Sequence, residues 1–224
     1  AGDVMNFQMA ADMAKAEGIA VEQVISMDDV GSAPKEKAAN RRGVVGSFLG
    51  WKVAGGKAAA GGRLEECKAA VEKLNNNTRT LGVALSPCTV PAKGTPTFTL
   101  ADDEMEYAVG HHGEPGTAKI KMMSADDIAE KMTLEVLEDL PFEAGQEVAV
   151  LINGLGGTPH IELYICYRKV KKILDKKGIQ IGRSYVGEFF TGLEMAGFSV
   201  TLTKLDDELK ALLAASANTP YYKL

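Results

Sequence analysis

The chain has 224 residues, 46% hydrophobic and 25% charged. That composition excludes disordered and fibrous classes, and the length allows one large or two small domains with a real core. A net charge of −5 argues against a nucleic-acid partner, and no run approaches the ~18 uninterrupted apolar residues of a membrane span.

The N-terminal "AGDVMNFQ" shows no basic region followed by a signal-like apolar core. Cys67, Cys88 and Cys166 are odd in number and widely spaced, without a CxxC pair. A reduced, cytoplasmic setting is the expectation.

Ala1-Gly2-Asp3 reads as the loop after a strand, with Asp3 near the start of the following helix and further sequence expected upstream. Residues 4–17 carry an apolar stripe, Met5, Phe7, Met9, Ala10, Met13 and Ala14, and Gly18 stops the helix. The methionines are expected in a core. Residues 19–29 predict a strand ending in an acidic loop, and residues 30–43 a polar loop. Small residues over 44–60 suit a closely packed helix, with Trp51 expected in packing. Residues 63–77 place Leu64, Cys67, Val71 and Leu74 on one helix face.

After Asn77 the texture changes. Residues 78–100 are rich in Thr, Pro and Gly, with short β-like pieces. Residues 103–110 run into the histidine turn; strands are expected at 116–123, in 147–159 as a buried strand followed by a glycine loop, at 179–190 and in 197–209. Helices are expected at 124–140, capped by Ser124 with Asp127 as its weak capping-box partner, at 160–178, and at 206–216. Strands alternating with helices give an α/β fold. The shift near Asn77 is the expected domain boundary.

"VGHHGEPG" (109–116) sets two of the three histidines side by side among three glycines. Adjacent histidines point to opposite faces of a strand or ~100° apart on a helix, and zinc-ligand spacing is missing, so no metal is expected. Either this is a surface turn with incidental histidines, or the glycines let backbone approach a ligand. In the second case Glu114 could orient an imidazole through Nδ1–H and leave Nε2 as nucleophile or base. "NGLGGTP" (153–159) is either a tight strand-to-helix turn or a phosphate loop, and it matches neither Walker A nor GxGxxG. Arg41-Arg42 could grip an anion, against the plainer reading of a solvated basic pair. Asp3 stands where open α/β sheets place functional groups.

Six strings together carry a resemblance: "GDVMNF" (2–7), "NRRGVVG" (40–46), "NNNTRTLGVALSPCTVPAKGTPTF" (75–98), "DDEMEYAVGHHGEPG" (102–116), "EVAVLINGLGGTPHIELYICYRKV" (147–170) and "EMAGFSVTLTKLDDEL" (194–209). In order, and from end to end, the chain resembles the dihydroxyacetone kinase DhaK subunit family.

The resemblance implies two α/β domains of the K-subunit type, the first incomplete in this chain. Residues 1–77 would be the back portion of the first domain. Residues 78–210 would form the second, carrying the histidine loop, and 211–224 a tail returning to the first. The family's N-terminal portion, with a Gly-Gly-Gly-Ser-Gly-His-Glu-Pro loop and a substrate-contacting lysine, is expected before Ala1.

The resemblance also assigns roles. His112 would bind a ketone covalently as a hemiaminal, and Asp3 would contact or activate the substrate hydroxyl. Gly113 and His111 would line the substrate, His111 departing from the often aliphatic residue of relatives. The implied activity is phosphorylation of dihydroxyacetone, within an ATP-dependent kinase or a phosphotransferase system. No cofactor is expected in this chain; ATP or ADP with Mg²⁺ would sit on a nucleotide-binding DhaL-type partner, and a homodimer is implied. Two alternatives stand beside it: a non-catalytic dihydroxyacetone-binding transcriptional co-regulator, and a kinase for a related ketose such as erythrulose.

Overall fold

A computed structural model describes residues 2–224; Ala1 lies outside the described residues. The fold is α/β. Its centre is one six-stranded sheet, β1 (Thr78–Ala84), β2 (Glu104–Tyr107), β3 (Ala118–Lys121), β4 (Glu147–Gly154), β5 (Gln180–Gly187) and β6 (Gly197–Lys204), in the order β3-β2-β1-β6-β4-β5. Despite the alternating elements, only β4 and β5 pair in parallel, joined by α5 (His160–Lys176). The remaining ladders are antiparallel.

β4 explains the layering. Its side chains alternate between faces. Val148, Val150 and Ile152 enter one core with residues of α4 (Ala125–Asp139) and α5. Ala149 and Leu151 enter another with α2 (Gly46–Ala59), α3 (Leu64–Asn76) and α6 (Asp207–Ala214). A strand buried on both faces reads as a continuous apolar run, as "VAVLI" does. The textural change at Asn77 falls at the junction of α3 and β1, and helices from before it share a core with strands from after it.

The α2-side face also carries a polar ladder. Thr78 and Thr203 hydroxyls pair at 2.9 Å, and Thr80 and Thr201 at 2.8 Å. Further along the same face, Ser199 lies opposite Gly82 on one side and Asn153 on the other. Asn153 is satisfied, accepting from the Phe189 and Phe190 amides and donating to the Phe190 carbonyl. Ser199 Oγ is buried without a partner among the described residues.

Helix ends follow the sequence closely. Ser124 caps α4 by accepting from the Asp127 amide, and Gly18 and Gly178 adopt the left-handed φ that terminates α1 (Gly2–Ala16) and α5.

Four expectations need correction. Residues 19–29 form no strand. Asp29 makes one isolated parallel bridge to Thr80, because the acidic side chains serve loops instead: both Asp28 carboxylate oxygens accept amides, from Val44 and Gly46, at the start of α2. Gly2 and Asp3 belong to the first turn of α1 rather than to a loop. Met5, Met9 and Met13 are 65, 58 and 69% exposed, and only Ala11 of α1 is buried; periodicity marks an apolar face without saying what covers it. Trp51 is likewise exposed.

Candidate functional site

The histidine loop, residues 108–116, leaves β2 beside the end of β1. Both of its ends are pinned. The Arg42 guanidinium donates to the Ala108 carbonyl (3.0 Å), and the Gly116 amide donates to the buried Glu106 carboxylate (2.9 Å). Within the loop, the Gly110 amide donates to the Glu114 carbonyl and the Gly113 amide to the Gly110 carbonyl. Gly113 has φ +76°, and a Cβ there would press on Cys88 Sγ and Thr97 Oγ1 at 2.6 and 2.8 Å. Glycine at 113 thus has a packing reason, and its amide is already used.

His111 and His112 differ in burial but stay in contact. Their rings lie 3.9 Å apart at 50°. His112 is exposed, with Nδ1 3.4 Å from Glu114 Oε1, while its own amide donates to Glu114 Oε2 at 3.0 Å. Burial works against the Glu114 carboxylate, but its own amide, the His112 charge and the His112 amide hold it below its ordinary pKa. Glu114 is therefore an anion beside His112 at neutral pH.

His111 turns inward, its ring 4.2 Å from Phe190, which in turn lies 5.7 Å from the exposed Trp51. Burial pushes the His111 pKa down to about 4, helped by the neighbouring His112 charge and opposed by Glu114 and Asp3. His111 is thus a neutral imidazole lining a small cavity with Asp29, Thr80, Asn153, Phe190 and Ser199.

Asp3 is exposed, and its charge reaches His111. The start of α1 and the histidine loop therefore share one electrostatic neighbourhood. Asp29 is 1% exposed, and burial raises its pKa to about 6 against the pull of Arg42.

The arginines are not a solvated pair. Arg41 is buried in a two-pronged contact to Asp139, which also accepts from Arg79. Arg42 bonds Asp29 through Nε at 2.9 Å. Both grip protein carboxylates, which explains why two cations stand together without an external anion. The "NGLGGTP" turn is consumed internally: the Leu155 and Gly157 amides donate to Gly197 and Met195, and the Thr158 hydroxyl bonds Gly197. Sequence reasoning did not single out Asp29, Phe190, Ser199 or Glu106, and weighed Asn153 only as part of a glycine turn. They come from distant segments, and no local pattern links them to the histidines.

Among the described residues, no cluster of three or more His, Cys, Asp or Glu side chains could hold a metal ion, and no helix is long and apolar enough to cross a membrane.

Residues 1–221 match the family model described as the Dak1 domain. The chain belongs to the Dak1 domain family. It is 46% identical over 224 residues to the "PTS-dependent dihydroxyacetone kinase 2, dihydroxyacetone-binding subunit DhaK" of Listeria innocua, covering all of this chain and 67% of that relative. It spans 63 and 62% of two further dihydroxyacetone-binding subunits, from Listeria innocua and Lactococcus lactis. Among solved structures it superposes on a dihydroxyacetone kinase operon co-activator, DhaQ, with a TM-score of 0.87 at 31% identity, covering 96% of this chain and 66% of that one. The crystal structure of the dihydroxyacetone kinase from C. freundii in complex with AMP-PNP and Mg2+ matches with a TM-score of 0.84 at 30% identity, covering 96% of this chain and 39% of that one.

Proposed function

We propose that this Dak1 chain is the ketone-binding part of a dihydroxyacetone kinase. The observation that carries the reading is an exposed imidazole, His112, held beside the Glu114 carboxylate at 3.4 Å on a glycine loop pinned at both ends, in a chain 46% identical to a dihydroxyacetone-binding subunit.

The chemistry follows from a neutral imidazole. Nε2 donates its lone pair to the carbonyl carbon while the C=O π pair moves to oxygen. The oxygen takes a proton from solvent, and the Nδ1 proton leaves through Glu114 to solvent, giving a neutral hemiaminal. A polyol lacks the carbonyl, so capture selects ketones by reactivity rather than fit alone. The tethered substrate then presents a terminal hydroxyl at fixed geometry. Asp3 accepts that hydroxyl's proton as its oxygen bonds the incoming phosphorus and the donor's P–O bond breaks. The donor nucleotide, with Mg²⁺, belongs to a DhaL-type partner, the chain works in the cytoplasm, and two copies pair as a homodimer.

The test uses dihydroxyacetone labelled with ¹³C at the carbonyl. Loss of the carbonyl resonance and appearance of a tetrahedral carbon, absent in His112→Asn, is the expected result; an unchanged carbonyl signal at saturating protein overturns it.

A second reading has its own support in the likeness to a co-activator: ketone capture without turnover. A phosphotransfer assay with the nucleotide-binding partner separates the two, since a sensor forms the adduct and releases no phosphorylated product.

A further inference from the structure

Arg42 makes three approaches to the histidine loop and its support. Its Nε donates to Asp29 at 2.9 Å, and its terminal nitrogen donates to the Ala108 carbonyl at 3.0 Å. Its Nη1 also lies over Gly110, where an added Cβ would meet both Nη1 and the Glu114 carboxylate. Among the described residues Ala108 is one of two non-glycine residues with positive φ, +60°, a conformation that persists only where its surroundings hold it. Asp29 is nearly fully buried and anchored in turn by the Gly31 amide at 3.0 Å. A rigid strut therefore runs from the buried Asp29 through the guanidinium to the strained first residue of the loop. Across Gly110 from Nη1 stands the Glu114 carboxylate, which lies 3.4 Å from His112 Nδ1.

We infer that Arg42, braced by Asp29, is the positioning residue that keeps Glu114 on His112 Nδ1 and so keeps Nε2 as the unprotonated, attacking nitrogen. The inference rests on the proposed nucleophilic role of His112. Arginine suits the task because its planar fork can bond a carboxylate and a carbonyl at once, which a lysine ammonium on a flexible stem cannot do with the same rigidity. A neutral imidazole in water favours the Nε2–H tautomer, so an unheld Glu114 would leave the nucleophilic nitrogen protonated.

The experiment reads the tautomer of His112 directly, by ¹⁵N NMR of the imidazole in the ligand-free chain, in the parent, Arg42→Gln, Arg42→Lys, Glu114→Gln and the Arg42→Gln/Glu114→Gln double variant. Near-ultraviolet circular dichroism shows that each is folded, and Arg42→Lys keeps the charge should Arg42→Gln fail to fold. In the parent, Nδ1–H dominates. The expectation is that Arg42→Gln lowers the Nδ1–H to Nε2–H ratio about tenfold, the scale of the charged hydrogen bond to the Ala108 carbonyl that it removes, and Arg42→Lys lowers it by a smaller factor. The double variant should be no worse than Glu114→Gln alone, since coupled residues are non-additive. A parent-like ratio in a folded Arg42→Gln or Arg42→Lys variant, or additive effects in the double variant, overturns the inference. No ketone is present, so this result stands apart from the ¹³C capture test: absence of an adduct with the tautomer shift intact removes the ketone reading and leaves the positioning role.

Discussion

The His111 ring lies tilted 4.2 Å from Phe190 and 3.9 Å from the His112 ring, so one histidine of the pair is a wall and the other is the exposed group. The burial that makes His111 a wall also fixes its charge, and this has a measurable consequence for stability.

His111 has a pKa lowered to about 4 from an ordinary 6.5 by burial and the His112 charge. Its neutral form is favoured in the fold, so its contribution is fully present above pH 6.5 and is lost as pH falls toward 4. Asp29, raised to about 6, acts in the opposite direction: its penalty is present at neutral pH and is relieved as pH falls through 6. The two are separated by comparing the parent with His111→Leu in urea denaturation. Between about pH 7 and pH 5 the parent should lose up to about 2 kcal/mol more than the variant. Parallel pH profiles would count against a neutral buried His111.

Capture and transfer should separate by residue. His112→Asn is expected to abolish the ¹³C adduct. Asp3→Asn, which keeps the side-chain size and removes the proton acceptor, should retain the adduct and reduce phosphotransfer in the presence of the nucleotide-binding partner by about 10²-fold or more. If Asp3→Asn loses the adduct while His112→Asn keeps it, the two roles are reversed.

The threonine ladder, which reaches the His111 cavity at Thr80, gives a test of buried hydrogen-bond energetics. Thr201→Val leaves the Thr80 hydroxyl, which is 1% exposed, without its partner, and should cost about 1–3 kcal/mol. The double variant Thr80→Val/Thr201→Val should not recover that loss, because Thr80 also bonds the buried Asp28 carboxylate, which Thr80→Val leaves short of a donor. Equilibrium unfolding of the parent, both single variants and the double variant measures the coupling directly.

Gly46 opens α2 against the Asp28 carboxylate. A Cβ there would meet Asp28 Cγ and Oδ2 at 2.6 Å, and the Gly46 amide donates to that same carboxylate. Gly46→Ala should destabilise the chain by about 1–3 kcal/mol without altering the His112 tautomer. A shift in that tautomer would show that the start of α2 and the histidine loop are coupled.

The outcome for each segment follows one rule: patterns carried by neighbouring residues were legible, and partnerships across the chain were not. The helices at 64–76, 125–139 and 160–176 were readable from caps, stops and periodicity, the one at 46–59 from its small residues, and β4 from its apolar run. Met5, Met9 and Met13 were misplaced because a periodic stripe reports amphipathicity, whereas burial depends on a neighbouring surface. Arg42 read as a solvated charge because Asp29 and Ala108, its partners, are 13 and 66 residues away.

By itself the sequence determined the α/β class, the family resemblance, and the pair of histidines in a glycine loop beside Glu114, because turn chemistry and period are local properties of the chain. Only the tertiary structure decided that His111 faces inward and His112 outward, that both arginines are spent on protein carboxylates, and that the loop is pinned by Arg42 and Glu106. Those outcomes depend on which distant surfaces exclude water from a side chain, and burial then sets its charge and its available partners.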